Sequence, residues 1–436
     1  VTQHTIGIGL IGCGTVGSGV VELLTSQADQ YAARIGKRLN VRKILVRDIA
    51  KAKNNKVAPA ELLTDDPEQL FGDSEISIVI EVAGGAGVIS KYVRRSLEAG
   101  KHIVTANKSL LAAEGPELFA LARENNACIA FEASCGGGIP IITALKFGLM
   151  ANRIDALYGI LNGTCNYILT EMTQKGKTYA TALSEAQEAG FAEADPTLDV
   201  SGKDAAQKLA VLASLGFGVR IAEDQVLNNG IDSLDLSDIR FGSEMGYDIK
   251  LLAIAERTDH GLSLGVEPCF VHNNDMIAQV HGSFNALSVY GNATGHTMYY
   301  GRGAGQLPTA SAVVSDLLNV ASGWYPNAFS GMTIWPDLQD STTPADRSEL
   351  NSRFYLRMDV LDGPGMMARV ATILGDRGIS ISAVMQHEAH DRYVPVVILT
   401  HEAKRGAVDA AARMIEEMDV IRSHPTVLRI VDFPNG

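Results

Sequence analysis

The chain has 436 residues, 46% of them hydrophobic and 20% charged, with five cysteines and a formal charge of −13. That balance fits a globular protein of roughly two to four domains; the negative charge excludes a general affinity for nucleic acid or anionic membrane, and no apolar run reaches the roughly 18 residues that span a bilayer. The N-terminus lacks a basic stretch ahead of an apolar one, so no secretory signal is expected, and the scattered cysteines form no CxxC pair or Cys/His ligand set, which fits reduced thiols in the cytoplasm.

In chain order, residues 5–11 (TIGIGLI) read as a buried strand and GCGTVGSGVVELL as a helix opened by glycines. Further strands are predicted at 40–48, 75–85, 101–108 and 127–134, with helices between them. Such alternation builds parallel βαβ units, so the expected fold class is α/β, with a doubly wound Rossmann-type sheet in residues 1–134, completed by about 300–334. Residues 135–299 mix helices, strands and glycine loops, as in an α+β domain. Residues 335–349 are rich in Asp, Ser, Thr and Pro and read as a linker. Beyond it, apolar Phe354, Leu356, Met358 and Val360 alternate as in a strand with one buried face. The order strand–helix–strand–strand–helix–strand over 350–436 predicts a small ferredoxin-like domain.

Gly12, Gly14 and Gly17, with Thr15 and Val16 between, fit G-x-G-x-x-G after a strand and at the head of a helix. In that context the glycines permit a tight turn, a close approach to a pyrophosphate and helix–strand packing, and the helix N-terminus faces the phosphates. Arg47 at the end of the second strand favours the 2′-phosphate of NADP, while the adjacent Asp48 favours the ribose hydroxyl of NAD; both stay open, with NADP preferred. Thr105 and Lys108 fall on the carboxyl edge of the sheet, where such sheets bind ligands.

The segment GFAEADPTLDVSGKDAAQKLA crowds Glu193, Asp195, Asp199 and Asp204 ahead of Lys208. Asp204 and Lys208 are four apart and share a helical face that is partly apolar. A lysine near buried surface exchanges its proton more readily, and acid groups in the loop ahead suit a substrate ammonium. By spacing alone an ordinary exposed ion pair is the stronger alternative.

The run A-x3-G-F-A-E-A-D-P-x2-D-V-x-G-x-D-x3-K, from Ala186 to Lys208, resembles the signature of homoserine dehydrogenases. GILNGTCNYIL, EASCGGGIPII, TANKSLLA and YGRGAGQLPTASAVVSDL are similar to further blocks of that family, in the same order. The resemblance implies a reversible, NAD(P)H-dependent reduction of L-aspartate 4-semialdehyde to L-homoserine. It makes Lys208 the acid/base lysine, Asp204 its partner carboxylate, Lys108 a lysine between cofactor and substrate, and Glu193 and Asp199 substrate-binding acids. It adds Gly303 to the cofactor set, assigns residues 135–299 to substrate binding and dimerisation, and implies a homodimer or homotetramer. It further implies a sodium ion at Glu132, Cys135, Gly137 and Ile139, largely through backbone carbonyls, since oxygen suits a hard cation. Cys135 and Cys165 depart from the family pattern, and the two thiols are expected to add sensitivity to oxidation.

VLDGPGMMARVATILGDRGISI resembles an ACT domain, which implies amino-acid sensing, with threonine the expected effector near Asp362, Gly365 and Ser380. No amino-acid kinase region precedes the nucleotide domain, so a monofunctional chain is expected. Two alternatives remain: a catalytically inactive amino-acid sensor, and a semialdehyde dehydrogenase that acylates phosphate. The latter needs a thiolate with a histidine base, and none of the cysteines has a suggestive histidine block.

Overall fold

A computed structural model describes residues 4–54, 58–85, 87–332, 336–387 and 392–434. Trp335, the first residue of the expected linker, lies outside them. The chain forms two compact units, each assembled from three separate segments. The first comprises residues 1–155, 206–226 and 285–342, and the second 156–205, 227–284 and 343–436.

Six strands form the parallel sheet of the first unit: β1 (Thr5–Ile11), β2 (Arg38–Leu45), β3 (Leu63–Thr64), β4 (Ile76–Glu81), β5 (His102–Thr105) and β6 (Ile129–Ala130). Their order, β3-β2-β1-β4-β5-β6, reverses direction beside β1, the topological switch point where such sheets bind ligands. Ile8, Leu10, Ile78 and Val79 are buried, as strands covered by helices on both faces require. The sheet matches the Rossmann expectation.

The remaining strands are β7 (Ile154–Ile160), β8 (Leu227–Asn228), β9 (Tyr247–Thr258), β10 (Gly261–His272), β11 (Phe284–Gly291), β12 (Gly295–Arg302), β13 (Asn351–Leu361), β14 (Ile381–Gln386), β15 (Tyr393–Thr400), β16 (Ala403–Lys404) and β17 (Thr426–Val431). In the second unit β7-β9-β10-β17-β13-β15-β14 lie side by side in one mixed sheet. The C-terminal part, β17-β13-β15-β14 with helices Met366–Asp376 and Arg405–Glu416, has the expected ferredoxin-like pattern. Phe354, Leu356, Met358 and Val360 of β13 pack with Val370, Leu374, Val408 and Ile415 of the two helices.

This C-terminal layer shares its sheet with the rest of the unit. β10 and β17 pair in parallel, with Cys269, Phe270 and Val271 opposite Arg429, Ile430 and Val431. The other face of β13 is buried too: Tyr355 is 0% exposed, and its ring centroid lies 4.7 Å from that of Phe270. Its hydroxyl donates to Asp238 on the helix Leu236–Glu244 at 2.9 Å, and Arg357 Nε donates to the same oxygen at 2.6 Å. Glu267 on β10 pairs with Arg347 and Arg405, and Arg429 on β17 with Glu256 on β9. The segment read as a linker is fastened: Ala345 donates its N–H to Leu262 at 2.8 Å. Among the described residues, no helix is long and apolar enough to cross a membrane.

Candidate active site

The glycine motif does what its spacing requires. Gly12 has φ +93°, and a Cβ there would stand 2.7 Å from Ala83 Cα. A Cβ on Gly17 would stand 2.4 Å from the Gly12 carbonyl oxygen, so helix and turn touch through it. Gly14 has open space and precedes the helix Thr15–Ser26, whose first-turn N–H groups suit an anion. Gly12 and Gly14, with Arg47, Asp48, Lys51 and the loop after β4, line a cleft of about 690 Å³. Thr15, Val16, Gly17, Thr105, Lys108 and Gly303 do not line it.

The two strand-end residues have different environments. Asp48 Oδ1 accepts the Lys51 N–H at 2.8 Å and so caps the short helix Ile49–Asn54. Arg47 is exposed and makes no ion pair among the described residues.

One carboxylate of this unit was not singled out from the sequence. Glu81, at the end of β4, is 0% exposed. It accepts the N–H groups of Ala83 and Gly84 at 2.9 and 3.0 Å and the Thr105 hydroxyl at 2.7 Å. Asn107 continues the network: its amide donates to the Gly85 carbonyl at 2.7 Å and its oxygen caps the helix Lys108–Glu124. Thr105 therefore spends its hydroxyl inside the protein. Lys108 is half-buried at the first position of the helix that Asn107 caps.

The turn 132–143 holds the residues expected to bind a cation. The Glu132 carboxylate accepts the N–H groups of Ile142 and Thr143, both at 2.8 Å, and the Thr143 hydroxyl at 2.5 Å. Its backbone N–H donates to Asp316 Oδ2 at 2.7 Å. Lys146 is 2% exposed, donates to the Tyr325 hydroxyl at 2.9 Å and lies 4.4 Å from the centre of the Phe131 ring. Burial pushes the Glu132 and Asp316 carboxyls up and the Lys146 ammonium down. Gly137 has φ +53°, and a Cβ there would stand 2.5 Å from the Gly303 carbonyl oxygen; a Cβ on Gly303 would meet Asn285 at 2.1 Å. Two glycine turns thus approach each other within the first unit. Cys135 is fully buried, which pushes its thiol up to about 11, and Cys165 is buried as well. At neutral pH Cys135 stays protonated and shielded, so the expected oxidation sensitivity is not supported.

In the second unit, Asn162 gathers the acids. Its Nδ2 donates to Asp199 Oδ1 at 2.7 Å and to Asp204 Oδ2 at 2.9 Å, while its Oδ1 caps the helix Gly163–Lys175 through the Cys165 N–H at 2.8 Å. Asp204 is 6% exposed and Asp199 half-buried. Two carboxylates held on one neutral amide concentrate negative charge, which suits an ammonium ligand. Glu193 is exposed on the preceding loop, and Asp195 accepts from Thr197. Asp204 lies in the first turn of the 15-residue helix Lys203–Phe217, which also carries half-buried Lys208. Asp362 and Gly365 precede the helix Met366–Asp376, whereas Ser380 follows it. These two ends stand about 16 Å apart along a helix of that length, so the three exposed positions form no single cluster.

Comparison with known proteins adds an independent finding. Residues 140–318 match the family model described as homoserine dehydrogenase, and residues 12–132 the one described as its NAD-binding domain. Residues 354–413 match the ACT domain model. A homoserine dehydrogenase of Pseudomonas aeruginosa is 40% identical over 428 residues, covering 97% of this chain and 98% of its own. The crystal structure of a homoserine dehydrogenase from Thiobacillus denitrificans superposes with a TM-score of 0.93 at 40% identity, covering 99% of both chains. A hyperthermophilic archaeal homoserine dehydrogenase mutant, solved in complex with NADPH, superposes with a TM-score of 0.62 at 27% identity, covering 73% of this chain and 98% of its own.

Proposed function

Because the chain belongs to the homoserine dehydrogenase family of NAD(P)-dependent oxidoreductases, we propose how its own residues carry out the interconversion of L-aspartate 4-semialdehyde and L-homoserine. A bound nicotinamide dinucleotide supplies or accepts the hydride. Lys208 moves the proton of the substrate oxygen, and Asp204, one turn before it, is its partner carboxylate. Glu193 and Asp199 hold the substrate ammonium, and Lys108 faces the reacting end. The observation that carries this reading is the Asn162 amide shared by Asp199 and Asp204.

NADP is the preferred cofactor in this proposal. Asp48 is committed to a helix cap, which weakens it as a ribose partner, and Arg47 is available for a 2′-phosphate. A sodium ion is accommodated in the turn 132–139 by the backbone of Cys135 and Gly137, while the Ile139 carbonyl already accepts the Ile141 N–H at 2.8 Å. The carbonyls of Cys135 and Gly137 accept no backbone N–H among the described residues, whereas the Glu132 carboxylate already accepts three hydrogen bonds. The ion would fix the backbone of this turn. The ACT domain binds threonine as effector near Asp362 and Gly365, with Ser380 at the far end of the helix Met366–Asp376 outside that site, in a cytoplasmic homodimer or homotetramer.

Initial rates of homoserine oxidation with NADP and with NAD test the proposal. Lys208→Ala should lose most turnover with folding intact; unchanged turnover removes Lys208 from the mechanism. Arg47→Ala should raise KM for NADP by about tenfold or more and leave KM for NAD nearly unchanged, as loss of a charge-assisted pair implies. Equal effects on both cofactors would end the NADP assignment.

A further inference from the structure

We propose that Glu81 is a positioning residue of the dehydrogenase reaction, joining the loop that lines the dinucleotide cleft to the helix that begins with Lys108. The carboxylate ends β4 and lies opposite Thr105 at the end of β5. Its partners are two peptide N–H groups and a hydroxyl, none of them charged. Burying a carboxylate without a countercharge is costly, and an apolar side chain would complete the strand at less cost. What the carboxylate holds gives the reason for it. Glu81 Oε1 receives the N–H groups of Ala83 and Gly84, two consecutive donors on one oxygen. Consecutive N–H groups form an anion-binding hollow, and here the protein supplies the anion itself. Ala83 and Gly84 line the cleft beside Gly12 and Gly14. Val82 donates its N–H to the Ile11 carbonyl at 3.0 Å, and a Cβ on Gly12 would stand 2.7 Å from Ala83 Cα. The loop that Glu81 holds therefore rests directly on the dinucleotide turn.

The second oxygen serves the helix. Glu81 Oε2 accepts the Thr105 hydroxyl, whose own oxygen accepts the Asn107 N–H at 3.0 Å. Asn107 sends its amide back to the Gly85 carbonyl, and its Oδ1 accepts the Leu110 N–H at 3.1 Å in the first turn of the helix. The bonds close a ring from carboxylate to loop, Asn107, Thr105 and back, and Lys108 is the residue that follows it. The ring is specific for a carboxylate. Two N–H groups and one O–H point inward, and all three need acceptors. A glutamine brings one oxygen and two donors. If its oxygen keeps the two N–H groups, the Thr105 proton has no acceptor; turned over, its NH2 faces two N–H groups. Glu81→Gln thus opens the ring on one side while filling the same volume. The link to turnover rests on the reading of Lys108 as a residue at the reacting end; the link to the cleft loop does not.

The test compares full-length variants by fluorescence titration with NADPH and NADH, by steady-state homoserine oxidation and by thermal unfolding. Glu81→Gln should weaken dinucleotide binding by about fivefold or more and lower kcat by about tenfold or more. KM for homoserine should stay within about threefold, since Glu193 and Asp199 belong to the second unit. Thr105→Val breaks the next bond of the ring, so its effect and that of Glu81→Gln should not add in the double variant. Glu114→Gln, which loses bonds from Ser90 and Arg94 further along the same helix, controls for a merely structural role and should leave binding and kcat within about twofold. A folded Glu81→Gln with binding and kcat within twofold of wild type overturns the proposal, as does an equal loss in Glu114→Gln. If Glu81→Gln does not fold, Thr105→Val carries the same expectations, and unchanged values there overturn it. Lys108→Ala separates the two links. If it keeps wild-type turnover, the reading of Lys108 falls and the dinucleotide titration alone decides. If it loses turnover while Glu81→Gln keeps its kcat, the link to the helix is overturned.

Discussion

At the scale of single residues, Asn162 is the side chain on which most depends. Replacing it with alanine leaves two carboxylates facing each other without their shared donor. Hydrogen bonds to charged groups are worth about 1.5–3 kcal/mol, so kcat/KM for homoserine should fall roughly 10- to 100-fold in Asn162→Ala. Steady-state kinetics on a variant with wild-type circular dichroism checks this, and a change within twofold would remove Asn162 from the site. The acids around it were legible because charge crowds visibly in a sequence; Asn162 and Glu81 were not. A neutral amide leaves no charge pattern, and its one local signal, the Asn-Gly-Thr that opens a helix, marks a cap rather than a site. Glu81 sits in an apolar strand, where a lone acid reads as a strand end. Lys250 was equally invisible. It is 3% exposed, its amine donates to the Val280 carbonyl at 2.8 Å, and burial lowers it from 10.5 to about 8. Between those values the unfolded chain holds the proton that the folded one has released, so stability rises with pH across that window. Relative to Lys250→Met, the wild type should gain about 1–3 kcal/mol from pH 8 to 10.5. Denaturant melts in that range check the sign, and a loss would contradict it.

At the scale of elements, β13 separates what alternation reveals from what it hides. Its residues 354, 356, 358 and 360 form the buried face that alternation predicts. Tyr355 and Arg357 on the opposite face read as ordinary outward positions, yet both are bound to Asp238, which is 0% exposed. Periodicity reports a face that is apolar; it does not report a face that is buried through polar contacts. Asp238→Ala strands the Arg357 guanidinium, and removing one partner of a buried pair costs about 3–5 kcal/mol. Urea denaturation should show that loss, and Asp238→Leu combined with Arg357→Met should recover much of it. A single variant as stable as the wild type would show that the pair does not dock the layer. The segment 335–349 was read from polar composition as a tether; its backbone hydrogen bonds come from distant partners such as Leu262, and composition carries no trace of those.

At the scale of the whole molecule, chain order and spatial organisation part company. Each compact unit draws on three stretches of sequence, and the helix Lys203–Phe217 changes unit between Ala205 and Ala206. From the sequence, about 300–334 returns to the first domain, but the exchange at residues 206–226 could not be expressed, because contacts rather than composition decide it. A chain ending at residue 350 would lack β17 and leave part of β10 unpaired, with Asp238 stripped of Arg357 and Glu267 left with Arg347 alone. It should accumulate in the insoluble fraction on expression, since an unpaired apolar edge templates aggregation; a soluble, active product would show that the catalytic residues fold without the C-terminal layer. The pairing of β10 with β17 also sets a clock during synthesis. Cys269 lies opposite Arg429, 160 residues later (429 − 269). At about 5–20 residues per second, a ribosome needs roughly 8–30 s to cover that distance. Through that interval the nascent chain carries an open strand edge that its own last strand must close, so slow translation of the final third and early stop codons should burden chaperones more than a substitution in the glycine turn would.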